Sequence, residues 1–139
     1  MKTRAPRSVT LFALGTLFCT SGAAQQQPYP GKPIRYLALT HHHNDHVGGL
    51  RSYLSEGAIL VVGPGTSAHY RKILSAPHTR NPYLPQAIKT SRILEVTDHL
   101  VITDGSNNLG LYVVDNLHAA GMLMGYLPDA RLAYVTDIW

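Results

Sequence analysis

The sequence has very little cysteine and, beyond its N-terminus, neither a strong charge nor a long apolar run. Its one cysteine, Cys19, lies within the first 24 residues. The rest of the chain therefore offers neither a disulfide nor a thiolate ligand. No later stretch is apolar for the roughly 20 residues that a membrane-spanning helix needs. These absences exclude a disulfide-stabilised scaffold and a transmembrane span from the larger part of the chain.

The first 24 residues have the layout of a secretory signal peptide. Basic residues are followed by an apolar run over 9–19 and by small residues up to Ala24. The apolar run is too short to span a bilayer, and small residues suit the cleavage site of a signal peptidase. We expect cleavage near Ala24, no stable membrane association afterwards, and a periplasmic or secreted protein. An uncleaved N-terminal membrane anchor is the alternative.

Net charge is low once this leader is set aside. The chain has 12 Lys and Arg against 8 Asp and Glu, and the leader contains Lys2, Arg4 and Arg7 but no acidic residue. Removing the three leaves 9 basic against 8 acidic residues, a net charge of +1. The composition therefore predicts no nucleic-acid partner.

The remaining chain is predicted to be one domain over 34–139, preceded by a polar, proline-rich linker over 25–33. Apolar runs predict strands at 34–39, 58–62, 93–96, 100–103, 109–114, 122–127 and 132–135. Helices are expected at 50–55 and from a cap at Thr66 to about Leu74. Strands that first alternate with helices and then run as hairpins predict an α/β (α+β) fold.

Residues 40–49, THHHNDHVGG, directly follow the first of these strands. In an extended loop side chains alternate, so His41 and His43 are expected on one side, where two imidazoles can begin a zinc site. Asp45 and His46 diverge from that pair and suit a second metal ion. The alternatives are a histidine-rich tract without function and a purification tag. A tag would lie at a terminus and would not contain Asn44 and Asp45.

This segment resembles the T-H-x-H-x-D-H signature of the metallo-β-lactamase superfamily. A second stretch agrees with it, because a lone histidine, His118, follows a strand, and Asp137 follows the next hairpin. The resemblance covers about residues 31–139. It implies a partial αββα sandwich, a mixed sheet with flanking helices, and a site for two zinc ions. The implied metal ligands are His41, His43, Asp45, His46, His118 and Asp137.

The resemblance also implies a role for each ligand. The first zinc ion would be held by His41, His43 and His118. The second would be held by Asp45 and His46, and Asp137 would bridge the two ions. Asp45 would in addition be the catalytic residue that orients the attacking hydroxide. Thr136 departs from the family pattern, which usually has glycine there.

The other histidines are not expected to bind metal. His42 is predicted to pack or to hydrogen-bond beside the ligands. The remaining three, in helix or loop settings, are predicted to be solvated: His69, His78 and His99.

Two zinc ions that share a water can lower its pKa enough to supply hydroxide near neutral pH. The resemblance therefore implies a zinc-dependent hydrolase that cleaves an ester, thioester, lactone or related bond in a small-molecule substrate. The lack of a cysteine ligand and the presence of Asp137 argue against cleavage of β-lactams. A non-catalytic, exported zinc-binding remnant is the alternative.

Parts of the family pattern have no counterpart in the sequence. We find neither the opening strands with their aspartate-containing turn nor the last ligand histidine. A truncated or internally deleted copy is the interpretation that we favour. A short member completed by formation of a homodimer is the alternative, because half a sandwich leaves sheet edges exposed.

Overall fold

The computed structural model describes residues 11–14, 32–77 and 92–138. Three helices are present in this part of the chain: α1 (Asn44–Val47), α2 (Leu50–Ser55) and α3 (Ser67–Ser75). The strands are β1 (Leu11–Leu14), β2 (Ile34–Ala38), β3 (Ile59–Val62), β4 (Ile93–Glu95), β5 (His99–Thr103), β6 (Asn108–Val114), β7 (Met122–Leu127) and β8 (Leu132–Tyr134). None of the helices described is long and apolar enough to cross a membrane.

The strands form two four-stranded sheets. The first sheet has the order β1-β2-β3-β4 and all its neighbouring strands are parallel. The second has the order β5-β6-β7-β8 and is antiparallel throughout. The predicted α+β class is confirmed, with the parallel and antiparallel strands separated into different sheets.

The helices and strands pack through two apolar layers. A single strand contributes to both layers, because its successive side chains point to opposite faces of the sheet. Leu37 of β2 and Leu60 of β3 lie in the layer that also contains Leu54 of α2 and Leu74 of α3. Ala38 of β2 and Val61 of β3, which follow these two leucines in sequence, lie in the second layer, between the two sheets. That layer consists of Ala38, Val61, Val96, Ile102, Leu109, Leu111 and Leu123. Strands β2 and β3 therefore bury apolar side chains on both faces of the parallel sheet, as strands of parallel sheets usually do.

Helix α3 begins without the cap that was predicted for it. The Thr66 hydroxyl donates to the carbonyl of Gly63 at 2.7 Å instead of accepting a helix N–H. The carboxylate of Glu95, at the end of β4, accepts from the N–H groups of Gly65 (2.8 Å) and Ser67 (3.2 Å) and from the Ser67 hydroxyl. These hydrogen bonds, that of the Ser67 hydroxyl most, lower the pKa of Glu95.

Strand β1 lies inside the segment that was predicted to be a signal peptide. It pairs with β2, with Leu14 opposite Ala38. Cleavage near Ala24 would remove β1 and leave β2 as an edge strand of the sheet. Signal-peptide cleavage stays a prediction, and the linker at 25–33 lies largely outside the described residues, as does His78.

Candidate metal centre

The histidine motif begins directly after β2, at the carboxyl end of a parallel strand. Its first residue, Thr40, accepts the N–H of Leu123 from β7 at 2.7 Å, so the motif is tied to both sheets. The backbone at His43 is extended, and α1 begins at the next residue. Rigid strands therefore fix both sides of the loop that carries the first histidines.

Three histidine nitrogens converge at this point. The Nε2 of His41 lies 3.1 Å from Nδ1 of His43 and 3.3 Å from Nε2 of His118. Two nitrogens bound to one tetrahedral zinc ion at roughly 2.0–2.1 Å would lie about 3.3 Å apart. The three side chains thus have the spacing of ligands to a single ion.

Asp137 joins a second group of donors to the first. Its Oδ2 lies 2.8 Å from Nε2 of His46, 3.6 Å from Nε2 of His41 and 3.9 Å from Nε2 of His118. The donor atoms of His41, His46 and Asp137 all lie within 4.8 Å of one another. Asp137 therefore occupies a position between the two groups, which is where a bridging ligand would have to be.

Asp45 lies at the rim of this cluster. Its Oδ2 is 3.4 Å from Nε2 of His46, and its side chain is 79% exposed, against 6% for that of His46. Among the described residues, the second group that could hold a metal consists of His46, Asp137 and His41, without Asp45. The role of Asp45 as a ligand to the second ion stays a prediction.

The different environments of Asp45 and His46 result from helix α1, which was not predicted. An extended loop was predicted for the motif, but the chain forms a single helical turn from Asn44. Neighbouring residues of a helix point about 100° apart, given 3.6 residues per turn. His46 therefore faces the cluster and is buried, while Asp45 faces solvent.

Burial determines the charge state of the central histidine. The pKa of His41 is lowered from 6.5 to about 4; burial is the largest cause, the neighbouring His46, His43 and His118 add to it, and Asp137 opposes it. His41 is therefore neutral near pH 7 and has a nitrogen lone pair available to a metal. Zinc is commonly coordinated by imidazole and carboxylate groups. The residues present therefore suit a divalent metal ion.

Two threonines fix the ring of His41. Thr40 Oγ1 lies 3.2 Å from Nδ1 of His41, and the Thr136 hydroxyl donates to Thr40 Oγ1 at 3.2 Å. Outer hydrogen bonds of this kind orient a ligand histidine. In the sequence Thr136 stood out only as a departure from the family pattern, and this contact was not predicted.

The loop that carries His118 is held by Asn116. The Asn116 side chain accepts the N–H groups of His118 (2.8 Å) and Ala119 (3.0 Å) and donates to the carbonyl of Val114 (2.9 Å). Asparagine commonly organises turns in this way. Its place two residues before His118 is the sequence signal that could have identified it.

Two glycines allow the loop that carries His118 to lie in close contact with the residues that follow β3. A Cβ added at Gly63 would lie 1.8 Å from the carbonyl oxygen of Gly121. Gly121 itself has a φ of +66°, and a Cβ there would lie 2.6 Å from the carbonyl oxygen of Pro64. The backbones are therefore in direct contact, which couples the His118 loop to the parallel sheet.

With this geometry the chain can be compared with known proteins. The sequence profile of the metallo-beta-lactamase superfamily matches residues 10–138, and the chain belongs to that superfamily. No curated protein matches the sequence.

Several solved structures share the fold. The flavodiiron protein from Giardia intestinalis is 18% identical, with a TM-score of 0.54 over 73% of this chain and 22% of that one. A metallo-beta-lactamase from Pontibacter korlensis is 20% identical, with a TM-score of 0.53 over 73% of this chain and 41% of that one. An archaeal superfamily protein from Sulfolobus tokodaii is 20% identical, with a TM-score of 0.50 and coverages of 69% and 43%. The chain thus spans less than half the length of these structures.

Proposed function

We propose that this chain is a zinc-dependent hydrolase that cleaves an ester, thioester, lactone or related bond in a small-molecule substrate. The observation that carries the proposal is the position of Asp137 Oδ2 between the nitrogens of His41, His46 and His118. Membership of the metallo-beta-lactamase superfamily supports it. The alternative is a zinc-binding remnant without activity.

The ligands divide into two sets that meet at Asp137. His41, His43 and His118 would hold one ion, and His46 with Asp137 and Asp45 would hold the other. A divalent metal bound there lowers the pKa of a water molecule and polarises the substrate oxygen. Neutral His41 needs no proton removed before it binds metal, because its pKa is about 4.

Asp45 is the catalytic residue of this proposal. Its carboxylate is exposed and lies 3.4 Å from His46, so it can reach a water molecule that approaches from solvent. There it would accept a proton and orient the water towards the substrate carbonyl carbon. Thr40 and Thr136 would keep the ring of His41 in place while this occurs.

Zinc is the metal that we propose, and iron is its competitor. Imidazole and carboxylate donors suit zinc, but they also suit iron. The flavodiiron protein among the structural neighbours has iron in its name. Elemental analysis of the chain, purified without added metal, would distinguish the two.

Activity is tested with chelator-treated, zinc-reloaded chain on thioesters, lactones, esters, phosphoesters and β-lactams. We expect turnover of an ester, thioester or lactone, and a loss of roughly 100-fold or more in kcat with little change in KM for Asp45→Asn, the size typical of a lost general base. His99→Ala is the control, because His99 is an exposed histidine in the second sheet. A preference for β-lactams would contradict the proposed substrate class, and a panel without turnover would favour the remnant.

A further inference from the structure

Beside the candidate metal centre, two further imidazole rings are in edge-to-face contact. His42 comes from the loop after β2 and His69 from the exposed side of α3. Their ring centroids are 5.1 Å apart and their planes are inclined by 70°. The residues are 27 positions apart in sequence, so the fold and not local geometry brings them together.

The separation of these rings is that of a T-shaped ring contact, and it also fits two ligands of one metal ion. Imidazoles bound to a tetrahedral zinc ion through nitrogens at roughly 2.0–2.1 Å have ring centroids about 5 Å apart. In the candidate centre the corresponding separations are 4.9 Å for His41 and His118, and 4.6 Å for His41 and His43. The pair His42 and His69 is therefore spaced like the histidines that converge there.

His42 also has an atom that lacks a partner. Its Nδ1 is enclosed and makes no hydrogen bond. Buried polar atoms almost always have a partner, and an orphan of this kind points to a water molecule or ion. A ring with an unsatisfied nitrogen is not explained by packing alone.

The pair adjoins the candidate centre through one more ring. The centroids of His42 and His43 are 5.1 Å apart, and those of His43 and His118 are 4.6 Å apart. A continuous row of imidazoles thus leads from His69 on the surface to the ligands of the first group.

We propose that His42 and His69 form an additional, weaker site for a divalent transition-metal ion, whose remaining coordination positions are filled by water. Two imidazoles with water bind less tightly than a set with three or more protein ligands, so the ion at this site exchanges readily with solvent. Neither residue was expected to bind metal, since His42 was predicted to pack or to hydrogen-bond and His69 to be solvated. It does not depend on the chain being a hydrolase.

The test is a zinc titration of the full, chelator-treated chain, followed by NMR of the histidine side chains and by elemental analysis. We expect the signals of His42 and His69 to shift together in the last and weakest binding step. His69→Gln should bind one zinc ion fewer than the wild type. His69→Cys should regain that ion, because a thiolate is also a zinc ligand.

His99→Gln is the matched control, since His99 is likewise exposed but contacts Asp98 at 2.8 Å in the second sheet. It should leave the zinc stoichiometry unchanged. Circular dichroism would verify that each variant is folded. Equal stoichiometry in the wild type and His69→Gln, or a weakest step that leaves the His42 and His69 signals in place, would overturn the proposal.

Discussion

At the scale of single residues, the charge state of His41 determines what the centre can bind. Its side chain is buried among three other histidines, and its pKa is about 4 instead of 6.5. Protonation would add a charge to a side chain that is 0% exposed to solvent. The same property that leaves His41 ready for a metal therefore makes the metal-free fold sensitive to acid.

The metal-free chain should lose stability as the pH falls from about 6.5 to about 4. In this window the unfolded chain binds a proton at His41 and the folded chain does not, so acid favours unfolding. The full effect is roughly 3 kcal/mol, since one pKa unit corresponds to about 1.4 kcal/mol. Urea unfolding of chelator-treated protein across this range measures it. His41→Gln should flatten the dependence, and equal slopes in the two proteins would refute the prediction.

Asp137 combines a backbone and a chemical requirement. Its φ of 57° lies in the left-handed region, which aspartate and asparagine adopt more readily than other non-glycine residues. Asp137→Asn should therefore keep the free energy of unfolding within about 0.5 kcal/mol but bind one zinc ion fewer. Asp137→Ala should lose the ion and an additional 1 kcal/mol or so from strain. Zinc analysis with denaturant unfolding separates the two effects, and full zinc occupancy in Asp137→Asn would exclude a bridging role.

At the scale of elements, Glu95 joins β4 to the start of α3. Its lowered pKa means that the ionised carboxylate stabilises the fold above its unfolded pKa, and that this contribution disappears as the pH falls through the lower folded value. Glu95→Gln should therefore lower the melting temperature at pH 7, and its difference from the wild type should vanish in acid. Thermal unfolding at several pH values checks this. Asp129→Asn, at an exposed position between β7 and β8, is the control.

The contact between Gly63 and Gly121 should couple stability to metal binding. Gly63→Ala places a methyl group against the carbonyl of Gly121, so the backbone must move, at a cost of roughly 1–3 kcal/mol or more. Because Gly121 ends the His118 loop, zinc affinity should fall as well. Gly48→Ala is the control, since Gly48 has a helical φ of −56° and an added Cβ would meet only the carbonyl oxygen of Asn44, at an ordinary contact distance of 3.9 Å. Equal zinc affinity in both variants would show that the loops are independent.

The boundaries of the strands from β2 to β8 were predicted to within one residue, because short apolar runs between turn residues mark them. Helix α1 was not predicted, because its four residues, Asn44–Val47, are too few to show the recurring apolar pattern by which a helix is recognised in a sequence. The contacts of Glu95, Gly63 and Asn116 were also missed. The first two depend on which elements become neighbours, which local sequence does not specify.

The site shows the same division. A specific motif indicated His41, His43 and His46, and the structure brings them together with His118 and Asp137. The motif said nothing about Thr136 or about His42 and His69, which meet only when α3 packs beside the loop. The sequence therefore predicts which residues could bind metal, whereas the residues that surround them are determined by the fold.

At the scale of the whole molecule, the N-terminal apolar residues have two competing uses. Leu11–Leu14 can be a strand of the parallel sheet, as in the structure, or part of a leader that is removed. An apolar run predicts either use, so the sequence does not separate them. They differ in what happens to β2, which is an inner strand with β1 in place and an edge strand without it.

We expect export with cleavage near Ala24, so that mass spectrometry of the secreted or periplasmic protein finds an N-terminus close to Gln25. Leu14→Arg, which interrupts the apolar run, should block export and leave the chain intact in the cytosol. In the cleaved protein the amides of β2 that face the missing strand should exchange hydrogen faster than in the uncleaved chain. An exposed strand edge of this kind can also pair with a second copy of the chain and form a homodimer. An intact chain with a protected β2 edge in the exported fraction would show instead that β1 is a permanent part of the fold.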